Sequence, residues 1–198
     1  MTKIYEQEYF DRWYRSPRAV VRPAVVQRKA RLALAAAEHL LGREVRTVLD
    51  VGCGEAPWRA LLRRMRADIE YTGVDPSDYV VRRFGRRRDI RQGSLTTLDS
   101  LRLARTYDLV VCSDVLQYLS NADVKEGLRM LGRRVGGVAF IEAFTAADDM
   151  IGDRVLWHTR SGTWYRRAFA EAALTPIGLH LYVGPRLVGV TNELERLA

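Results

Sequence analysis

The 198-residue chain has only two cysteines, Cys53 and Cys112, and three histidines. Two thiols make neither a disulfide framework nor a zinc cluster, so free, reduced cysteines and no bound metal are expected. No apolar run approaches the roughly 20 residues that a membrane span requires. The opening Met1-Thr2-Lys3-Ile4-Tyr5-Glu6 lacks the apolar stretch of a secretory signal. These absences lead to the expectation of a cytoplasmic protein that contacts no membrane. Lysine is scarce as well: Lys3, Lys29 and Lys125 are the only three, so arginine carries the net charge of +8. Arginine concentrates at Arg63-Arg64, Arg66, Arg82-Arg83 and Arg86-Arg87-Arg88. Such runs fit a nucleic-acid footprint or a solvated helix face. The lack of aromatic residues interleaved with them as a stacking platform favours the solvated face.

What the chain does have is ordinary for a globular domain: 47% hydrophobic and 28% charged residues, over a length that suits one core. The whole chain, 1–198, therefore reads as a single domain. Its organising stretch is Val48-Leu49-Asp50-Val51-Gly52-Cys53-Gly54-Glu55-Ala56-Pro57-Trp58. An apolar, β-branched run fits a strand buried on both faces of a parallel sheet. Gly52 and Gly54 suit a tight turn that lets a ligand approach the backbone. Pro57 can open the following helix, because the first helical position loses no needed N–H. Free N–H groups at such a turn attract anions. The dinucleotide fingerprint requires a third glycine where Pro57 stands, which excludes that motif.

The pattern acidic-x-Gly-x-Gly, carried by Asp50, Gly52 and Gly54, resembles motif I of the class I S-adenosylmethionine-dependent methyltransferases, with Ala56 where a third glycine is frequent. Two further stretches fall at matching places. Ile69 to Ser77 reads as a second strand ending in Asp75, 21 residues after Gly54. A carboxylate there can take two hydrogen bonds from ribose hydroxyls, and the resemblance assigns it that role. Tyr107 to Leu119 resembles motif IV, a buried strand whose end faces the methionine part of the cofactor and the acceptor. The resemblance implies S-adenosyl-L-methionine as cofactor, bound by Asp50, Gly52, Cys53, Gly54, Asp75, Pro76, Ser94, Leu95, Ser113 and Asp114. Two departures stand out. Ser94 replaces the usual acid near the adenine, and Gln117 replaces a frequent histidine and cannot act as a base near neutral pH.

The remaining chain completes the layout. Tyr5, Tyr9 and Trp13 recur at helical spacing. Residues 1–22 are expected to form a helical lid and 23–198 the core. Ser16-Pro17 reads as a helix start, and Pro23 to Leu41 as an amphipathic helix ended by Gly42. Arg31 on that helix is a candidate partner for the cofactor carboxylate. Helices are expected at 59–66, 123–132 and 163–174 and a basic helix or turn at 80–88, with Gly136-Gly137 turning the helix at 123–132 into a strand from Val138 to Glu142. Leu179–Val183 and Leu187–Val190 are expected to close the sheet as an antiparallel pair turned by Gly184-Pro185. The expected fold is a three-layer α/β, Rossmann-like domain. Its seven-stranded sheet is mostly parallel with an antiparallel last strand, under an N-terminal helical cap. The polar stretch from Thr145 to Gly162 is the place for acceptor-specific contacts. His158, Tyr165 and Glu142 are the candidates for a catalytic base. The expected activity is in-line methyl transfer to a small molecule. A nucleic-acid methyltransferase and an inactive cofactor-binding homologue are the alternatives.

Overall fold

The computed structural model describes residues 5–16, 22–149 and 153–196. Seven strands form one sheet in the order β3-β2-β1-β4-β5-β7-β6. They are β1 (Thr47–Val51), β2 (Glu70–Asp75), β3 (Ile90–Gln92), β4 (Tyr107–Ser113), β5 (Val135–Glu142), β6 (Thr175–Gly178) and β7 (Leu181–Val183). The first five pair in parallel, and β7 runs antiparallel to both β5 and β6. The order reverses between β1 and β4, so the connections leaving these two strands run to helices on opposite faces of the sheet. In open α/β sheets that reversal is where ligands bind.

Burial follows from the strand sequences. Val48, Leu49 and Val51 of β1 and Leu109 through Cys112 of β4 are fully or almost fully enclosed, as strands covered on both faces must be. One face packs on α2 (Pro23–Leu41) and α3 (Pro57–Met65), the other on α5 (Asn121–Gly132) and α6 (Gly162–Glu171). The α2 helix begins on a proline and ends at Gly42 in the left-handed conformation, φ +65°. Helix α4 (Asp78–Arg88) is capped by the Ser77 hydroxyl, which accepts from the Val80 N–H. Residues Gln7–Phe10 form α1, which continues as a π-helical turn through Arg15. The predicted helix start at Ser16-Pro17 extends outside the described residues.

Three expectations are corrected. Gly136 and Gly137 lie inside β5 rather than in a turn. A Cβ on Gly137 would fall 2.2 Å from the carbonyl oxygen of Asp108, so the pair lets β5 press against β4 where their register shifts. The closing strands are β6 and β7, not 179–183 and 187–190, and Val188–Val190 forms a single 3-10 turn. Pro176 suits β6 because β6 is the sheet edge, where a missing N–H breaks no ladder. The hairpin turns through Leu179 and His180, both with positive φ and neither a usual turn residue, which hid the turn from the sequence. Both cysteines are buried and unpaired. Among the described residues, no helix is long and apolar enough to cross a membrane.

Candidate functional site

At the sheet reversal the chain leaves β1 through Gly52 (φ +71°), Gly54 (φ +51°) and Ala56 (φ +56°) before α3 begins at Pro57. Side chains are excluded at both glycines. A Cβ on Gly52 would lie 2.3 Å from Val115 Cγ2, and one on Gly54 would lie 2.5 Å from the Tyr14 hydroxyl. The turn is pinned to β2. The Gly52 and Cys53 N–H groups donate to the Val74 carbonyl at 2.8 and 3.2 Å, and the Gly54 N–H donates to Asp75 Oδ2 at 2.7 Å. Asp75 is 6% exposed and also accepts the Ser77 N–H on Oδ1 at 2.9 Å. Burial pushes its pKa up, against the two backbone donors that hold it down. Each oxygen keeps a lone pair after one backbone bond, so both can still accept from a vicinal diol. Below the turn, Asp50 accepts the Tyr71 hydroxyl at 2.6 Å. Its burial raises its pKa to about 7 despite that bond.

The other wall is the end of β4. Asp114 follows it with φ +63°, a conformation aspartate tolerates better than most residues. Ser113 donates to Glu142 Oε2 at 2.6 Å, and Lys29 from α2 approaches the same carboxylate at 2.6 Å. Residues of the N-terminal helical segment line another side. Phe10 is 2% exposed and stacks on Tyr79 at 5.5 Å, and Arg15 joins this segment to Glu55 of the glycine turn.

These elements enclose a cavity of about 800 Å³, within the range of small-molecule sites. All ten cofactor candidates named from the sequence line it. Ser94, however, is already engaged as the cap of a 3-10 turn, with its N–H donating to the Thr97 hydroxyl at 2.8 Å. The three candidate bases separate. Glu142 lines the cavity, at 6% exposure. His158 is exposed and lies off the lining; only its backbone N–H is tied down, to the Gln117 carbonyl at 2.8 Å. Tyr165 is buried in the opposite core and accepts from Arg160. Arg31 is exposed and off the lining, whereas Lys29, two residues earlier, is on it. Sequence reasoning missed Lys29 although it sits three residues from Val26 on the buried stripe of α2. It also missed Tyr118, Phe144 and Asp153, which nothing but the fold brings together.

The family model described as "Methyltransferase domain" matches residues 23–176. No curated protein sequence matches the chain. Among solved structures, DesVI of Streptomyces venezuelae is 15% identical, with 92% of this chain and 100% of that one aligned and a TM-score of 0.65. The sugar N-methyltransferase KedS8 from Streptoalloteichus sp. is 16% identical, over 93% of this chain and 97% of that one, TM-score 0.62. NcsB1, an O-methyltransferase from neocarzinostatin biosynthesis solved with S-adenosyl-L-homocysteine and a dihydroxynaphthoic acid, is 22% identical. It aligns over 81% of this chain and 54% of its own length, with a TM-score of 0.54. At these identities the likeness is one of fold.

Proposed function

The chain belongs to the methyltransferase domain family, and we propose that it transfers a methyl group from S-adenosylmethionine to a small molecule held beneath the N-terminal lid. The observation that carries this reading is the buried Asp75 carboxylate, aimed into the cavity beside a glycine turn that admits no side chain. Asp75 would take the ribose hydroxyls, and Leu95 would flank the adenine. Ser113 and Asp114 would face the methionine portion, with the Lys29 ammonium meeting its carboxylate.

S-adenosylmethionine supplies a methyl group already made electrophilic by its sulfonium. The protein's part is alignment of an acceptor atom behind that methyl and exclusion of water, worth about 7–11 kcal/mol where fully realised. The lid residues Tyr9, Phe10 and Tyr14 serve that exclusion. Of the candidate bases, Glu142 is the one on the cavity, and Lys29 and Ser113 hold it there. Eight carboxylates and two cationic side chains line the cavity. That balance suits a small acceptor better than a phosphodiester chain. A crystal structure with S-adenosylhomocysteine tests the reading. The expected result is the ribose within hydrogen-bond distance of Asp75. An empty cavity, or an adenosyl group bound elsewhere, would contradict it.

A further inference from the structure

A second cavity, of about 450 Å³, lies at the far end of the sheet, where β4 and β5 begin. Its charge is opposite to that of the first. Arg105, Arg133, Arg134 and Arg186 line it, against a single acid, Asp99. The carboxyl ends of α5 and α6 also reach it, through Gly132 and Ala172. Four guanidinium groups against one carboxylate leave a charge of +3. The two helix ends, each worth about half a negative charge, lower it only to about +2.

The four arginines are not equivalent. Arg134 is structural. Its side chain is 12% exposed and donates to the Leu98 carbonyl at 2.9 Å, to the Ala104 carbonyl at 3.1 Å and to Asp99 Oδ1 at 3.0 Å. Arg133 meets the other oxygen of Asp99, but both side chains are about half exposed, at 58% and 47%. An exposed pair of this kind contributes little, so an anion of higher charge can draw Arg133 across. Arg105 and Arg186 are exposed, and no acid among the described residues pairs with either. Arg105, Arg133 and Arg186 come from three separate segments: the chain ahead of β4, the end of α5 and the turn after β7. The fold thus gathers like charges around one space, and an anion there would relieve their repulsion.

We propose that this cavity is a second ligand site, for a small molecule that carries a diphosphate, held by Arg105, Arg133 and Arg186. The guanidinium fork matches both carboxylate and phosphoryl oxygens. A planar carboxylate accepts such a fork in its own plane, whereas a tetrahedral phosphoryl group accepts from several directions at once. Donors arriving from three separate segments therefore favour the phosphoryl group. The Thr106 hydroxyl, on the same lining, is a further donor. The cavity is several times larger than one phosphate ion and falls within the range of small-molecule sites, which leaves space for two phosphoryl groups and what they are attached to. The charge of about +2 is close to that which a diphosphate ester would neutralise. The site is separate from the adenosyl cavity, which opens at the other ends of β4 and β5, and does not rest on the methyltransferase reading. A ligand bound there would tie the starts of these two central strands to the turn after β7.

Calorimetric titration with inorganic pyrophosphate, at low salt and with a chelator present, tests the site. One site per chain is expected, with a Kd of about 0.1 mM or tighter. Citrate, a carboxylate anion of comparable charge, is expected to bind at least about tenfold more weakly. Arg105→Ala combined with Arg186→Ala is expected to weaken pyrophosphate at least about tenfold. Arg86→Ala combined with Arg87→Ala removes the same charge from exposed positions on α4 and is expected to leave the affinity unchanged. The thermal midpoint of each variant shows that it is folded. Adding S-adenosylhomocysteine is expected to change nothing, because the anion occupies the other end of the sheet. No binding to the wild type, or citrate bound as tightly as pyrophosphate, overturns the proposal. So does full affinity in the folded Arg105/Arg186 variant, an equal loss in both double variants, or competition by S-adenosylhomocysteine.

Discussion

At the scale of single residues, the site depends on backbone conformations that side chains resist. Ala56 holds φ +56° at the start of α3, where its Cβ is strained. Ala56→Gly is therefore expected to be neutral or stabilising, by up to about 1 kcal/mol, in chemical denaturation; a loss of 1 kcal/mol or more would contradict the assigned strain. Asp50 gives a second check. Its pKa is raised from 3.8 to about 7 in the folded chain, chiefly by burial. The protonated group is thus favoured by folding. Its stabilising contribution is complete below the unfolded value and is lost as pH rises toward the folded one. Asparagine does not titrate, so the stability of the wild type relative to Asp50→Asn is expected to fall between about pH 4 and pH 7 and to level off above that. A difference that stays flat across that interval would show that Asp50 is not protonated in the native state. Residue identity was also where the sequence was most legible. Gly52, Gly54 and Asp75 stand out by their spacing together with the motif they resemble. Lys29, Tyr118 and Asp153 do not, because their meeting is a property of the fold and not of any local pattern.

At the scale of elements, the stretch between β5 and α6, in its described residues, supplies part of the cavity lining. It reads as irregular and polar, and its anchor, Arg160, looks like one more charged loop residue. In the structure Arg160 is 5% exposed and donates to the carbonyls of Leu116 and Leu119, to Asn121 Oδ1 and to the Tyr165 hydroxyl. It also lies over the Trp164 ring at 4.8 Å. It fastens this stretch to the connection between β4 and α5. Arg160→Ala would leave several buried acceptors unsatisfied, and a loss of about 2–4 kcal/mol is expected from denaturant unfolding. A loss under 0.5 kcal/mol would mean that the stretch is held by other contacts. The hairpin of β6 and β7 was illegible for a related reason. Its turn uses Leu179 and His180 at positive φ where Gly184-Pro185 offered the conventional signal, and its edge strand contains a proline.

At the scale of the whole molecule, the alternation of strands and helices fixes a mostly parallel sheet with one reversal, and that reversal gathers residues from β1, β2, β4 and β5 around one cavity. The fold was readable because both halves of the pattern are strong: buried β-branched strands, and helices with clear starts and ends. The distribution of charge was not readable. The arginine runs fitted a nucleic-acid footprint or a solvated helix face, with the solvated face favoured; in the structure Arg66 and Arg88 meet Glu38 and the Glu55 carbonyl, while the charged residues lining the cavity of about 800 Å³ are mostly acids. The surface and the site therefore carry opposite signs, which a composition cannot reveal.

The central claim is that this cavity holds an adenosyl ligand through Asp75. Calorimetric titration of S-adenosylhomocysteine into the wild type and into Asp75→Ala tests it most directly. The expected result is one site per chain in the wild type and affinity at least about tenfold weaker in the variant, the loss of a charge-assisted contact. Absence of binding to the wild type, or equal affinity in a folded Asp75→Ala variant, would contradict it.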